Sequence, residues 1–110
     1  MAHGSNARVV VRFSDLPFYP GALDMYKKGE TTGSNKANRA MVARHKLTMA
    51  ARLTKDEEEL LYDPQTSGGL LLSVPADQAN ELIAALQKAG TAAAALIGLV
   101  TDEPVGITVT

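Results

Sequence analysis

Cysteine is absent from the 110 residues of this chain. Disulfides, thiolate metal sites and a cysteine nucleophile are therefore excluded. Neither sign of charge is in excess: Lys and Arg number 11, Asp and Glu 12, for a formal net charge of -1. That balance leaves no electrostatic footprint for nucleic acid or for an anionic membrane. No apolar run approaches the roughly 20 residues that cross a bilayer. The longest, Ala92 to Val100, is interrupted by Gly98. The N-terminus lacks the apolar stretch of a signal peptide. The two histidines, His3 and His45, stand in no metal-ligand spacing, and no Ser/His/Asp arrangement suggests a nucleophile. The expectation is a cytoplasmic protein with no nucleic-acid or membrane partner.

The rest of the composition is that of a soluble globular domain, with 45% hydrophobic and 21% charged residues. The length supports one small domain over 1–110 with a single modest core. Residues 1–7 are expected to be flexible unless they pack.

Val9 to Phe13 is a β-branched apolar run of strand length, ended by Pro17. Leu23, Met25 and Tyr26 give a weak helical stripe over Ala22 to Lys28. Glu30 to Asn38 is polar and turn-rich and predicts an exposed loop. A short helix is expected within Asn38 to Leu47. Thr54 with Glu57 three residues on predicts a capping box. Leu70 to Val74 reads as a buried strand closed by Pro75. Beyond it, Ala79, Leu82, Ile83 and Leu86 fall on one face of the clearest helix, with Gly90 beyond its end. Two further strands are predicted, Ala93 to Val100 and Val105 to Val109. The order β, α, a short irregular helical region, α, β, α, β, β implies an α+β fold: a small mixed or antiparallel sheet with packed helices.

The sharpest feature is Asp63-Pro64-Gln65-Thr66-Ser67-Gly68-Gly69. Adjacent glycines allow close backbone approach, and successive N–H groups can converge on an anion. Thr66 and Ser67 add hydroxyls, and Asp63 could orient a donor or bind a metal. The same residues would equally serve as a strand-entry turn capped by Asp63. The spacing is not a P-loop, since no Gly-Lys-Ser/Thr occurs and a strand is expected to follow. A second candidate is Thr31 to Arg39, where Gly33, Ser34, Asn35, Lys36, Asn38 and Arg39 either hold a phosphate or form a solvated loop.

The sixteen residues from Leu60 to Pro75, with Asp-Pro-Gln-Thr-Ser-Gly-Gly at their centre, closely resemble a signature of selenophosphate synthetases. Pro20 to Leu23 upstream, the helix over Ala76 to Ala89 and the Ile97 to Thr101 strand are similar to the family in the same order. The resemblance spans roughly Val9 to Val109. It implies a C-terminal domain of the kind found with aminoimidazole ribonucleotide synthetase, partly ferredoxin-like, which closes over an active cleft. It also implies a reaction making selenophosphate from selenide, ATP and water, with Mg2+ serving the phosphates.

The family's Cys or selenocysteine, its Lys and most of its magnesium aspartates lie in an N-terminal ATP-binding domain, which forms a homodimer. No residue here matches them. The resemblance therefore implies a truncated chain, inactive alone, with no metal or ATP expected on it. Its partner would be that ATP-binding domain, and self-association is possible without it. The substrate-proximal candidates are Asp63, Thr66, Ser67, Gly68, Gly69 and Asn38. Where the family often reads Pro-Gly-Gly-Thr-x-x-Asn, this chain has Thr31 to Asn38, keeping the final Asn as Asn38. The alternative reading is a stand-alone, non-catalytic binding or regulatory domain of the same fold.

Overall fold

Strand pairing begins with β1 (Arg8–Val11), whose β-branched run lies in the middle of a four-stranded sheet. The computed structural model describes residues 1–110. The other strands are β2 (Leu47–Met49), β3 (Gly98–Thr101) and β4 (Gly106–Val109). Their spatial order is β2-β4-β1-β3. β4 runs parallel to both β1 and β2, and β3 is antiparallel to β1, so the sheet is mixed. Successive strands β3 and β4 are thus separated by β1. The register places Val11 opposite Gly98 on one side and opposite Val109 on the other.

Four helices complete the α+β arrangement: α1 (Ala22–Lys27), α2 (Asn35–Val42), α3 (Lys55–Leu60) and α4 (Ala79–Lys88). The capping box forms as the pattern requires. Thr54 Oγ1 accepts from the Glu57 N–H at 3.3 Å, and Glu57 Oε2 accepts from the Thr54 N–H at 2.7 Å. Two orphan donors of the first turn are satisfied this way. α4 is capped by Ala89, and Gly90 follows with φ 99°, a left-handed turn open to glycine. α1 packs on α3. Around that contact Tyr26, Leu60 and Tyr62 are buried, while Val109 is buried in β4 and Ala2 ahead of β1.

Several expectations are corrected. Leu70 to Val74 is not a strand: its backbone pairs with no other segment, and Leu70 is 89% exposed. Apolar content predicts burial, but a strand also needs an edge to pair with, and the sheet is completed by β2 instead. β2 was not expected, because Leu47-Thr48-Met49 is short and follows an indistinct pattern. The strand over Ala93 to Val100 shrinks to Gly98–Thr101, the alanine-rich part staying irregular. The loop over Glu30 to Asn38 gives way at Asn35, where α2 begins three residues before the expected helix. On α4, Ala79 is buried, but Leu82, Ile83 and Leu86 are only half-buried. Residues 2–6 form a turn in which the Ser5 N–H donates to the Met1 carbonyl at 2.9 Å. No helix is long and apolar enough to cross a membrane.

Candidate functional site

The Asp63 segment leaves α3 through Leu61 and Tyr62 and runs along the side of α2. Together these elements shape an open cleft of about 400 Å³, lined by Asn38, Met41, Val42 and the segment from Leu61 to Thr66. Asn38, Asp63 and Thr66 are thereby brought to one place. Ser67, Gly68 and Gly69 lie beyond the cleft on an exposed stretch. The Gly68 N–H donates to the Gln65 carbonyl at 3.3 Å, closing a turn. A Cβ on Gly68 would sit 2.9 Å from Gln65 Oε1, whereas one on Gly69 would meet nothing within 4 Å.

Side-chain hydrogen bonds hold the cleft wall. Asn38 Nδ2 donates to the Tyr62 carbonyl at 2.9 Å, which ties α2 to the end of α3. The Tyr26 hydroxyl donates to Asp63 Oδ1. Asn35 Nδ2 donates to the Tyr26 hydroxyl oxygen at 3.2 Å and to the Glu59 carbonyl at 3.0 Å, and the Thr32 hydroxyl donates to Asn35 Oδ1. Arg39 spans Glu58 and Glu59, with its Nη2 2.7 Å from Glu59 Oε2, and its guanidinium lies 4.3 Å from the centre of the Tyr62 ring. That pairing and the ring face occupy the planar fork of the arginine.

These contacts set the local charge. Burial, and next the Asp63 carboxylate that accepts its proton, hold the Tyr26 phenol above its ordinary value. Burial likewise raises Tyr62. The hydrogen bond from Arg39 keeps Glu59 below its ordinary value, and the bond to Glu59 raises Arg39. No Lys or Arg lines the cleft, and Asp63 is its one carboxylate. Nowhere in the chain do three His, Asp or Glu side chains group as a metal site would need.

Sequence reasoning missed the buried members of this arrangement, Tyr26, Asn35 and Tyr62. Tyr26 had a signal in its helical stripe. Asn35 was read among candidate phosphate ligands on the loop, and nothing in its neighbours distinguishes a buried amide from a solvated one. Arg39, read with it, is instead committed to α3.

A family described as "AIR synthase related protein, C-terminal domain" matches residues 1–110. The chain is 37% identical over 101 residues to a selenide, water dikinase of Pelobacter propionicus, covering 92% of this chain and 28% of that protein. It is 35% identical over 103 residues to a selenide, water dikinase of Clostridium botulinum strain Eklund 17B, covering 94% of this chain and 29% of the relative. A third, from Pseudomonas straminea, is 35% identical over 98 residues, 89% of this chain and 27% of the relative. The chain thus spans less than a third of the length of these relatives.

Proposed function

This chain belongs to the AIR synthase related protein C-terminal domain family, and on that premise we propose that it works as the cleft-closing domain of a selenide, water dikinase. The whole enzyme would make selenophosphate from selenide, ATP and water, releasing AMP and phosphate. The observation that carries this reading is the 37% identity to a selenide, water dikinase across 92% of the chain.

The geometry supports a division of labour. Transferring phosphoryl groups need cationic or metal clamping. The cleft has no Lys or Arg and one carboxylate, and no group of side chains suits magnesium. ATP and Mg2+ would be held by a separate ATP-binding domain. What this chain would contribute is a shaped wall. Asp63, Thr66 and Asn38 face the cleft, and the exposed Ser67-Gly68-Gly69 backbone is free to approach a ligand or the facing domain. The apolar stretch that follows, Leu70 to Val74, would be covered by that domain. The enzyme would be a cytoplasmic homodimer.

Reading the gene upstream of Met1 tests this directly. An adjoining ATP-binding domain in the same reading frame is the expected result. A start codon at Met1 with no such domain upstream would favour a stand-alone binding or regulatory domain instead.

A further inference from the structure

Asn35 is the most deeply buried side chain of the chain, only 1% exposed, and it is an amide. Burying such a group is costly unless each polar atom is paired. Here each one is: Oδ1 accepts from Thr32, and Nδ2 donates to Tyr26 and to the Glu59 carbonyl. An amide nitrogen can only donate. The Tyr26 hydroxyl must then accept from Asn35, and its single proton is directed to Asp63 Oδ1. Tyr26 itself is 4% exposed, so water cannot readily take either role. The second carboxylate oxygen of Asp63, Oδ2, has no hydrogen-bond partner in the chain, and Asp63 lines the cleft.

We propose that Tyr26 and Asn35 are positioning residues for Asp63: they fix one of its carboxylate oxygens so that the other is presented to the cleft. A brace serving α1, α2 and α3 alone would not need to end on the cleft's one carboxylate. The proposal deepens the reading of this cleft as the working edge of the domain and rests on it for its functional meaning. Asn35 orients the tyrosine hydroxyl, and the hydroxyl orients the carboxylate, which stands just before the turn that the Gly68 N–H closes on the Gln65 carbonyl.

The test is NMR of the whole chain with Tyr26→Phe, Asn35→Asp and Asp63→Asn. Tyr26→Phe keeps the ring and removes the hydroxyl. It should move the Asp63 carboxyl carbon resonance and speed exchange at the Gly68 amide, the one N–H of the loop that is hydrogen-bonded, about tenfold, as loss of a hydrogen bond to a charged group would. The amides of β1 and β4 should keep their protection. Asp63→Asn retains an acceptor for Tyr26 and should leave the Gly68 amide near its wild-type rate. An unmoved Asp63 resonance, or exchange that rises equally throughout the chain, makes the pair a structural brace and overturns the proposal. If Tyr26→Phe does not fold, Asn35→Asp decides by the same signals, because an acceptor in place of the donor contests the tyrosine proton. Loss of the fold in both would also overturn it.

In a full-length selenide, water dikinase carrying this domain, Tyr26→Phe should lower kcat about tenfold with the KM for ATP little changed. An unchanged kcat there would count against positioning. Absence of turnover in the unmutated enzyme would instead end the functional reading, leaving the NMR result to decide on Tyr26 and Asn35.

Discussion

At Gly98 a Cβ would sit 2.0 Å from the Val10 carbonyl oxygen, where no side chain can enter without parting β3 from β1. Gly68 is less constrained, because the atom its Cβ would meet first is the far end of the flexible Gln65 side chain. Gly98→Ala is therefore expected to destabilise the chain by at least about 1–3 kcal/mol in urea unfolding, the range for overpacking a filled site. Gly68→Val should disturb the Gln65 turn and leave the sheet intact.

Glu59 gives a prediction of a different kind. Its carboxyl is held below its ordinary value of 4.5 first by the Arg39 hydrogen bond. A depressed carboxyl contributes stability that is full above its unfolded value and is lost as pH falls through the folded one. Wild type should thus exceed Glu59→Gln in melting temperature at pH 7, and the gap should close as pH drops below 4.5. A gap that persists unchanged to low pH would mean that the charge is not its source. Gly98 and Arg39 both figure in the reading of the sequence, but what each of them meets does not. Spacing cannot reveal that Arg39 on α2 reaches back to α3, nor that residue 98 faces a carbonyl from the other end of the chain.

Elements were legible where the signal is local. The Thr54–Glu57 box and the Gly90 terminus each need a few adjacent residues and depend little on tertiary context. Strand pairing is a long-range choice, and there the reading departed from the fold. β4 pairs with β1 across nearly the whole chain and with β2 across about half of it, so β2 could not be found from Leu47-Thr48-Met49 alone. Leu70 to Val74 has the composition of a buried strand yet stays unpaired, with Leu71 and Leu72 each 52% exposed. Exposed, unpaired apolar segments of this kind promote association. Replacing Leu71 and Leu72 together by Ser should reduce self-association in analytical ultracentrifugation with little change in melting temperature, since neither side chain is buried. A strictly monomeric wild type at high concentration would contradict this account of the segment.

Taken whole, the molecule has few deeply buried residues and two separate centres of packing, one at the sheet and one where α1 meets α3. The cleft lies at the second centre, where the polar chain from Thr32 through Asn35 and Tyr26 reaches Asp63. The sequence motif marked that place, and Asn38, Asp63 and Thr66 do meet there. The buried groups behind them were invisible because a motif records what is adjacent in the chain and not what supports it from other helices. In the proposed function, the open wall and the uncovered apolar residues would face the ATP-binding domain. The most direct measurement is selenophosphate formation, followed by phosphorus NMR, in the Pelobacter propionicus selenide, water dikinase whose own matching segment has been replaced by this chain. The account predicts ATP-dependent selenophosphate from the chimera and none from the isolated chain. Turnover by the isolated chain, or a folded chimera that makes no selenophosphate, would contradict it.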